Sequence, residues 1–362
     1  MPERADADVV VVGGGPAGAV SAARCAREGL RVVLVERHQF PRDRPGETLH
    51  PGAEVVLREL GAWEPLEALA PPRHEGTWVE WGGPARFEPF GRDERGPWRG
   101  LQAWRADLDR ILLDTARRAG ATVLQPAHAQ SLLVRGGRVL GVQTSRGPIA
   151  AAYTIDASGG AHWLARRLGL PVCAASQRLL ARYGHARGEC ALVQDAPRLS
   201  ASAAGWTWLA HVGGGRYAWA SLPIGEGLAR GPHPAGLEGL TASRERSADV
   251  TWRAVRRAAG PGYLAVGDAA FVLDPASSHG VLKAMVSGAL AARAVTRTLG
   301  ASEGAAAGAL SDYDAWLREW FARDVSRLSQ LYANVFRGWR GAQAPHGAWR
   351  GAATGERADG QG

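Results

Sequence analysis

Three glycines at G-x-G-x-x-G spacing, in Gly13-Gly14-Gly15-Pro16-Ala17-Gly18, lie between an apolar run and a helical pattern. Each has its own task at such a junction. Gly13 permits a tight turn, Gly15 lets the backbone approach a pyrophosphate, and Gly18 lets helix and strand pack closely. A helix starting at Ala17 offers free amides and the positive end of its dipole to phosphate. Glu36 ends the next apolar run. A carboxylate there can bind ribose hydroxyls, and Arg37 beside it is a further cofactor-binding candidate. An acid at this place favours an unphosphorylated ribose, as in FAD or NAD. A dinucleotide is the expected ligand; a glycine-rich loop without a ligand is the competing reading.

Later segments carry further candidates. Gly267-Asp268-Ala269-Ala270 closes a short apolar run, and Asp274-Pro275-Ala276-Ser277-Ser278-His279-Gly280 leads into a long helical pattern. His50, in Gly46-Glu47-Thr48-Leu49-His50-Pro51, and His279, before Gly280, can exchange a proton near neutral pH. Each is a candidate general base and equally a structural histidine bonded to backbone. Cys25, Cys173 and Cys190 are odd in number and show no C-x-x-C spacing. Neither a disulfide framework nor a metal site is expected.

The elements that must position these residues show in the pattern. Val9–Val12 is unbroken and β-branched, as in a strand buried on both faces of a parallel sheet. A helix over 17–28 stops at Gly29, and a strand over 31–35 follows, completing one βαβ unit. Residues 41–52 read as a loop, and 77–81 as a half-buried strand. A helix over 105–119 leads through Gly120 into a strand at 122–124. Residues 130–144 read as a hairpin around Gly136-Gly137, and 153–157 as a short strand. Residues 206–211 and 216–222 flank Gly213-Gly214-Gly215, a hairpin signal. They fall in a stretch, 172–250, that reads as a mostly antiparallel sheet inserted between parts of the parallel domain. A strand over 263–266 and helices over 280–299 and 312–337 complete the chain, and the tail after Arg340 is expected to be disordered.

The 362 residues are 46% hydrophobic and 22% charged, globular values with room for about two domains. A net charge of +8 raises the question of nucleic acid. The arginines are scattered, with no block of like charge and no basic helix, so no nucleic-acid partner is expected. No basic leader precedes the first apolar run, and glycines break that run before it could span a bilayer. No membrane association is expected, and the expected location is cytoplasmic. Of 43 basic residues, only Lys283 is lysine, a bias that fits a GC-rich genome. One turn into the helix over 280–299, Lys283 is expected to be a packed stem with a solvated tip. Arginine should replace it without loss of cofactor. Among 14 tryptophans, Trp78, Trp81, Trp206, Trp208 and Trp219 fall in the inserted sheet. They read either as an aromatic pocket for a flat substrate or as an aromatic core.

The N-terminal dinucleotide fold, the late Gly267-Asp268 and the Asp274-Pro275-x-x-x-x-Gly280 helix start together resemble one family. It is the FAD-dependent superfamily of aromatic hydroxylases, halogenases and geranylgeranyl reductases, and the resemblance runs to about residue 300. It implies an α/β fold: a Rossmann-like FAD-binding three-layer ββα domain with an inserted antiparallel β-sheet substrate domain and C-terminal helices. The implied FAD-binding parts are 1–75, 100–171 and 250–300, with the substrate domain at 76–99 and 172–249. A helical segment at 301–340 and a tail at 341–362 follow.

The resemblance also implies roles. Asp268, after Gly267, holds the ribityl chain. The helix from Gly280 points at the flavin pyrimidine edge, where its dipole favours an anionic reduced flavin. Arg105, in Trp104-Arg105-Ala106-Asp107-Leu108-Asp109, approaches the FAD phosphates. Asp156, Ser158 and Gly159 pass the adenosine half, and Glu47 lies beside the isoalloxazine. No second dinucleotide motif serves NAD(P)H, so electrons are expected from transient NAD(P)H contact or from a separate flavin reductase. Halogenases of the superfamily carry a lysine after the Gly-Glu loop; Pro71-Pro72-Arg73-His74-Glu75-Gly76 has none. Their W-x-W-x-I-P is only half present as Trp206-Thr207-Trp208-Leu209-Ala210.

The implied activity is therefore an FAD-dependent monooxygenase. It hydroxylates a small aromatic or peptidyl substrate (indole, phenol, pyrrole or peptidyl tryptophan) through a flavin C4a-hydroperoxide. Short segments, Gly46–Pro51 and Ser277–Ala284, are similar to flavoproteins that oxidise tryptophan side chains of partner peptides. An FAD-dependent dehydrogenase, oxidase or reductase without oxygen insertion is the first alternative. A non-catalytic flavin-bearing partner that presents a peptide is the second.

Overall fold

β-Branched runs covered on both faces set the central layer. The computed structural model describes residues 5–224, 232–337 and 339; the tail expected to be disordered lies outside them. Ala7–Val12 pairs in parallel with Val32–Val35 on one side and with Gly147–Asp156 on the other. Thr122–Leu124 and Tyr263–Ala265 extend the parallel order at the two ends. Alternation sends Val9 and Val11 into the core under the helices, and Val10 and Val12 into a second core with Val142 and Ile149. That second core belongs to an antiparallel layer, the hairpin Ala129–Arg135/Arg138–Thr144 paired with the first half of Gly147–Asp156. The short strand expected at 153–157 is thus the end of a ten-residue strand. Its first half pairs in one layer and its second half in another.

The α-helices among the described residues are α1 (Pro16–Arg27), α2 (Gly52–Glu59), α3 (Trp63–Glu67), α4 (Arg105–Arg118), α5 (Trp163–Arg167), α6 (Gly280–Thr298) and α7 (Glu303–Ala333). Helices α2, α3 and α5 were not legible in the sequence. Helix α2 starts straight after Pro51, inside the region read as loop, because proline is well tolerated at a helix start. Helix α7 begins at Glu303 rather than 312 and ends at Ala333 rather than 337. Ser302 caps it by accepting from the Ala305 amide, and the alanine-rich stretch that follows has no apolar period to read. Helix α6 crosses the first turns of α1 at Gly288, where a Cβ would lie 2.4 Å from the Ala17 carbonyl oxygen. Ser21 Oγ ties the pair by donating to the carbonyls of Ala17 and Gly288.

The second large sheet runs in the order 241–242, 180–187, 216–223, 205–213, 198–202, 76–80, 86–89. Only the 198–202/76–80 pairing is parallel. Its register separates the five tryptophans read as one group. Trp206 pairs across from Leu222 and Trp208 from Ala220, on the face that carries His185 and Tyr183. Trp219 lies on the opposite face, in a cluster with Leu209, Tyr217 and Cys190, and Trp78 is on that side too. Trp81 and Trp206 pack on α7, with Trp81 Nε1 donating to the Leu331 carbonyl and Trp206 Nε1 to the Tyr332 hydroxyl. The single aromatic pocket is therefore corrected: Trp78 and Trp219 lie on the other face, Trp206 is fully buried, Trp81 packs on α7, and Trp208 is left half-buried on the inner face. Tyr332 in turn donates to Asp274, which also accepts from Trp252 Nε1 and the Ala276 amide. One buried carboxylate thus joins the second sheet, α7 and the approach to α6.

Candidate functional site

At the C-terminal end of Ala7–Val12, close contacts dictate the glycines. Gly13 has φ +109°, and a Cβ there would sit 2.4 Å from the Ala157 oxygen. A Cβ on Gly18 would sit 1.9 Å from the Gly13 oxygen. At Gly15 a Cβ would meet only the tip of Arg42, at 3.3 Å, so this stretch of backbone is the part left open. Gly15 is also the N-cap of α1, which has no side-chain cap. The amides of the first turn, which includes Ala17 and Gly18, are free for an anion.

Glu36 is buried beside this loop. Its Oε2 accepts from the Gly14 amide and its Oε1 from the His38 amide, both at 2.7 Å. Arg37 is exposed next to it. Arg42 lies 3.4 Å from Glu36 and 3.4 Å from Asp109. Asp109 also accepts from Arg105, at 2.9 Å, and Arg105 donates on to the Pro45 carbonyl. Alternating charges therefore link the glycine loop to Gly46-Glu47. Sequence reasoning missed Arg42, since one arginine among 42 carries no signal of its own.

Asp156 departs from the expected role. Its carboxylate is fully buried and accepts from the amides of Ser158 and Leu164, both at 2.9 Å. Burial pushes this carboxyl up. It builds the turn that sets Ala157 under Gly13, and leaves Ser158 and Gly159, both half-buried, on the nucleotide side.

Across the crevice, α6 starts at an exposed Gly280 whose Cβ would meet nothing within 4 Å, and its N-cap His279 gives no side-chain cap. Gly267, at φ +56°, fits against Ala17 of α1 and Ala284 of α6. The next side chain, Asp268, is 54% exposed, whereas Lys283 beneath it is 3% exposed. Lys283 Nζ donates to Asp268 Oδ1 at 2.8 Å and to the Phe271 carbonyl at 2.9 Å, and lies 4.5 Å from the centre of the Phe271 ring. The expected solvated tip is thus a buried ammonium paired with a half-exposed carboxylate. Asp268 Oδ1, the Phe271 carbonyl and the face of the Phe271 ring together take the ammonium that was expected to meet water.

The histidines divide in the same way. His279 Nε2 lies 2.7 Å from Asp324 Oδ2, and its ring stacks on Trp320. His50 Nδ1 accepts from the Gly52 amide at 3.1 Å. Burial, then the neighbouring His279, push its pKa down, so His50 is neutral at pH 7. A third histidine joins them. Glu47, 5% exposed, accepts from His185 Nε2 at 2.8 Å and from the Gly46 amide at 2.9 Å. The His185 ring lies on Trp104 (centroids 4.5 Å apart), and the Arg216 guanidinium covers Trp104. His185 was unreadable beforehand because its partner lies 138 residues away. No group of metal-ligating side chains occurs among the described residues, and no described helix is long and apolar enough to cross a membrane.

These residues fit FAD. The backbone at Gly15 is free of side chains, two helix starts lack side-chain caps, Glu36 is the acid beside the glycine loop, and Asp268 is an exposed acid after Gly267. The parallel sheet with its antiparallel third layer is the architecture of a dinucleotide-binding oxidoreductase. The chain belongs to the FAD binding domain family, which it matches over residues 6–215. It is 30% identical over 323 residues to a tryptophan 2-halogenase of Chondromyces crocatus, covering 79% of this chain and 60% of that enzyme. The chain thus spans about three fifths of that relative. It is also 30% identical over 380 residues to a menaquinone reductase of Mycolicibacterium smegmatis, covering 90% of this chain and 83% of that enzyme. In fold it resembles the myxobacterial chondrochloren halogenase CndH, with a TM-score of 0.82 at 24% identity over 91% of this chain and 83% of that one.

Proposed function

We propose that this protein is an FAD-dependent monooxygenase that hydroxylates an electron-rich aromatic ring. The observation that carries the reading is the state of Lys283: the chain's only lysine is buried and paired with Asp268. A halogenase of this superfamily needs a lysine free to reach its substrate, and this chain has none to offer. The tryptophan in the name of the tryptophan 2-halogenase supports an indole-bearing substrate class here, and the halogen is not carried over.

Gly15 and the first turn of α1 would hold the pyrophosphate, Glu36 the ribose, Arg105 a phosphate and Asp268 the ribityl chain. Bound FAD would supply electron transfer and activation of oxygen, with NAD(P)H or a flavin reductase as donor. The remaining work falls to side chains. With its Nε2–H given to Glu47, His185 keeps Nδ1 free to take a proton from a ring N–H or O–H, and the carboxylate stabilises the imidazolium that results. His279, held by Asp324, is a second proton acceptor at the start of α6. Trp208 and Tyr183, on the same sheet face as His185, offer flat apolar walls. The division into a cofactor part and a substrate part is supported by the common sheet of 76–89 and 180–249.

The test is to reduce the purified flavoprotein and mix it with labelled oxygen, a halide and indoles, phenols or pyrroles. One labelled oxygen atom in the product is expected, with no dependence on halide. A halogenated product would overturn the reading. An unlabelled, reduced product would favour the second reading, a reductase, which the match to most of the menaquinone reductase's length supports.

A further inference from the structure

We propose that Lys283 is a positioning residue that presets Asp268 for the ribityl chain of FAD, and that only lysine can do this here. The proposal rests on the FAD reading of the site. Three contacts surround Nζ, and they are of three kinds: the Oδ1 of Asp268, the carbonyl of Phe271 and the face of the Phe271 ring. An ammonium has three donors that spread tetrahedrally from one point, so each contact takes one. A guanidinium has its donors in one plane and carries them on a longer, wider head. It cannot meet a carboxylate, a carbonyl and a ring face together inside a site that leaves Lys283 3% exposed. A chain that uses arginine at 42 of 43 basic positions keeps lysine at the one position where the planar fork does not fit.

The effect on Asp268 follows from its exposure. The side chain is 54% exposed, and an unrestrained aspartate there would sample several rotamers. Lys283 holds Oδ1 from below. Oδ2 is then left as the acceptor, on a carboxylate whose orientation is fixed before the cofactor arrives. Gly267 above it, held by Ser287 Oγ at 2.9 Å and packed against Ala17 and Ala284, keeps the backbone of the pair in place. The gain is preorganisation: ordering Asp268 is done by folding and not at the expense of FAD affinity.

The experiment titrates FAD into deflavinated full-length protein for wild type, Lys283→Met, Lys283→Arg, Asp268→Asn and the Lys283→Met/Asp268→Asn double variant. Thermal unfolding of each apoprotein runs alongside. Each single variant should weaken FAD binding about tenfold or more, in keeping with a hydrogen bond to a charged group. The double variant should bind no more weakly than Asp268→Asn alone, since Lys283 acts only through Asp268. Should Lys283→Met fail to fold, Lys283→Arg and Asp268→Asn carry the test. Arginine binding FAD as tightly as lysine does, or losses that add in the double variant, would overturn the proposal while leaving the FAD reading intact. A fall in unfolding temperature with unchanged affinity would also overturn it, by showing a purely structural lysine. Wild-type apoprotein that takes up no FAD would overturn both.

Discussion

Asp274 shows what a single side chain settles. It is wholly buried, and burial pushes its carboxyl up to about 6 even though Trp252, Ala276 and Tyr332 all donate to it. In the unfolded chain the same group titrates near 3.8. Between those values the native state holds the extra proton, so stability falls as pH rises through the window and levels off above it. Roughly two units correspond to about 3 kcal/mol. Asparagine keeps an acceptor for Trp252 and cannot ionise. The unfolding temperature of Asp274→Asn should therefore gain on that of wild type as pH rises from 3.8 to about 6, and the gap should level off above that. A gap that stays constant with pH would show that Asp274 does not titrate there. At this scale the sequence was legible only where function is local in the chain. The glycines around Gly15, and Glu36 at a strand end, announce themselves by spacing. His185 and Asp324 act through partners brought by folding, and nothing near them in sequence marks them.

Among elements, the contact of α1 with α6 is fixed by a close backbone approach. Gly288 has no room for a Cβ against the Ala17 carbonyl, and Ala17 belongs to the turn that would face the phosphates. Gly288→Ala should push the two helices apart, costing about 1–3 kcal/mol, the usual penalty for overpacking. It should also reduce the flavin that copurifies, although residue 288 touches no ligand itself. Absorbance at the flavin bands against unfolding temperature reads both effects. Stable protein with full flavin content would mean that the helix pair has slack that the 2.4 Å approach denies. The strand buried on both faces, Ala7–Val12, the helix with a clear apolar stripe, α4, and the half-exposed end strand Thr122–Leu124 were all legible, and each lies within a residue or two of where the pattern put it. Helix α3 and helix α5, with five residues each, are too short for a helical period, and α7 opens on alanines that favour a helix without marking a face.

In the whole molecule, no long-range arrangement could be read beforehand beyond what the family resemblance supplied. Which face of the second sheet a side chain takes depends on strand register, and a shift of one residue between 205–213 and 216–223 would bring Trp208 and Trp219 onto one face. The sequence shows five tryptophans in strands; only pairing divides them between two faces.

The scarcity of lysine has a last consequence, for how this fold can be watched coming apart. A lysine-specific endopeptidase has one target bond in 362 residues, between Lys283 and Ala284 within α6. In the native protein that bond is helical and the lysine buried, so cleavage requires α6 to open. The digest should yield only residues 1–283 and 284–362, slowly in buffer and along the same denaturant midpoint as loss of helix. Added FAD should slow it further, because a ligand held by the folded state lowers the open population. Rapid cutting in buffer would mean that α6 opens on its own. The protein thus carries a built-in gauge of local opening at the helix proposed to meet its cofactor.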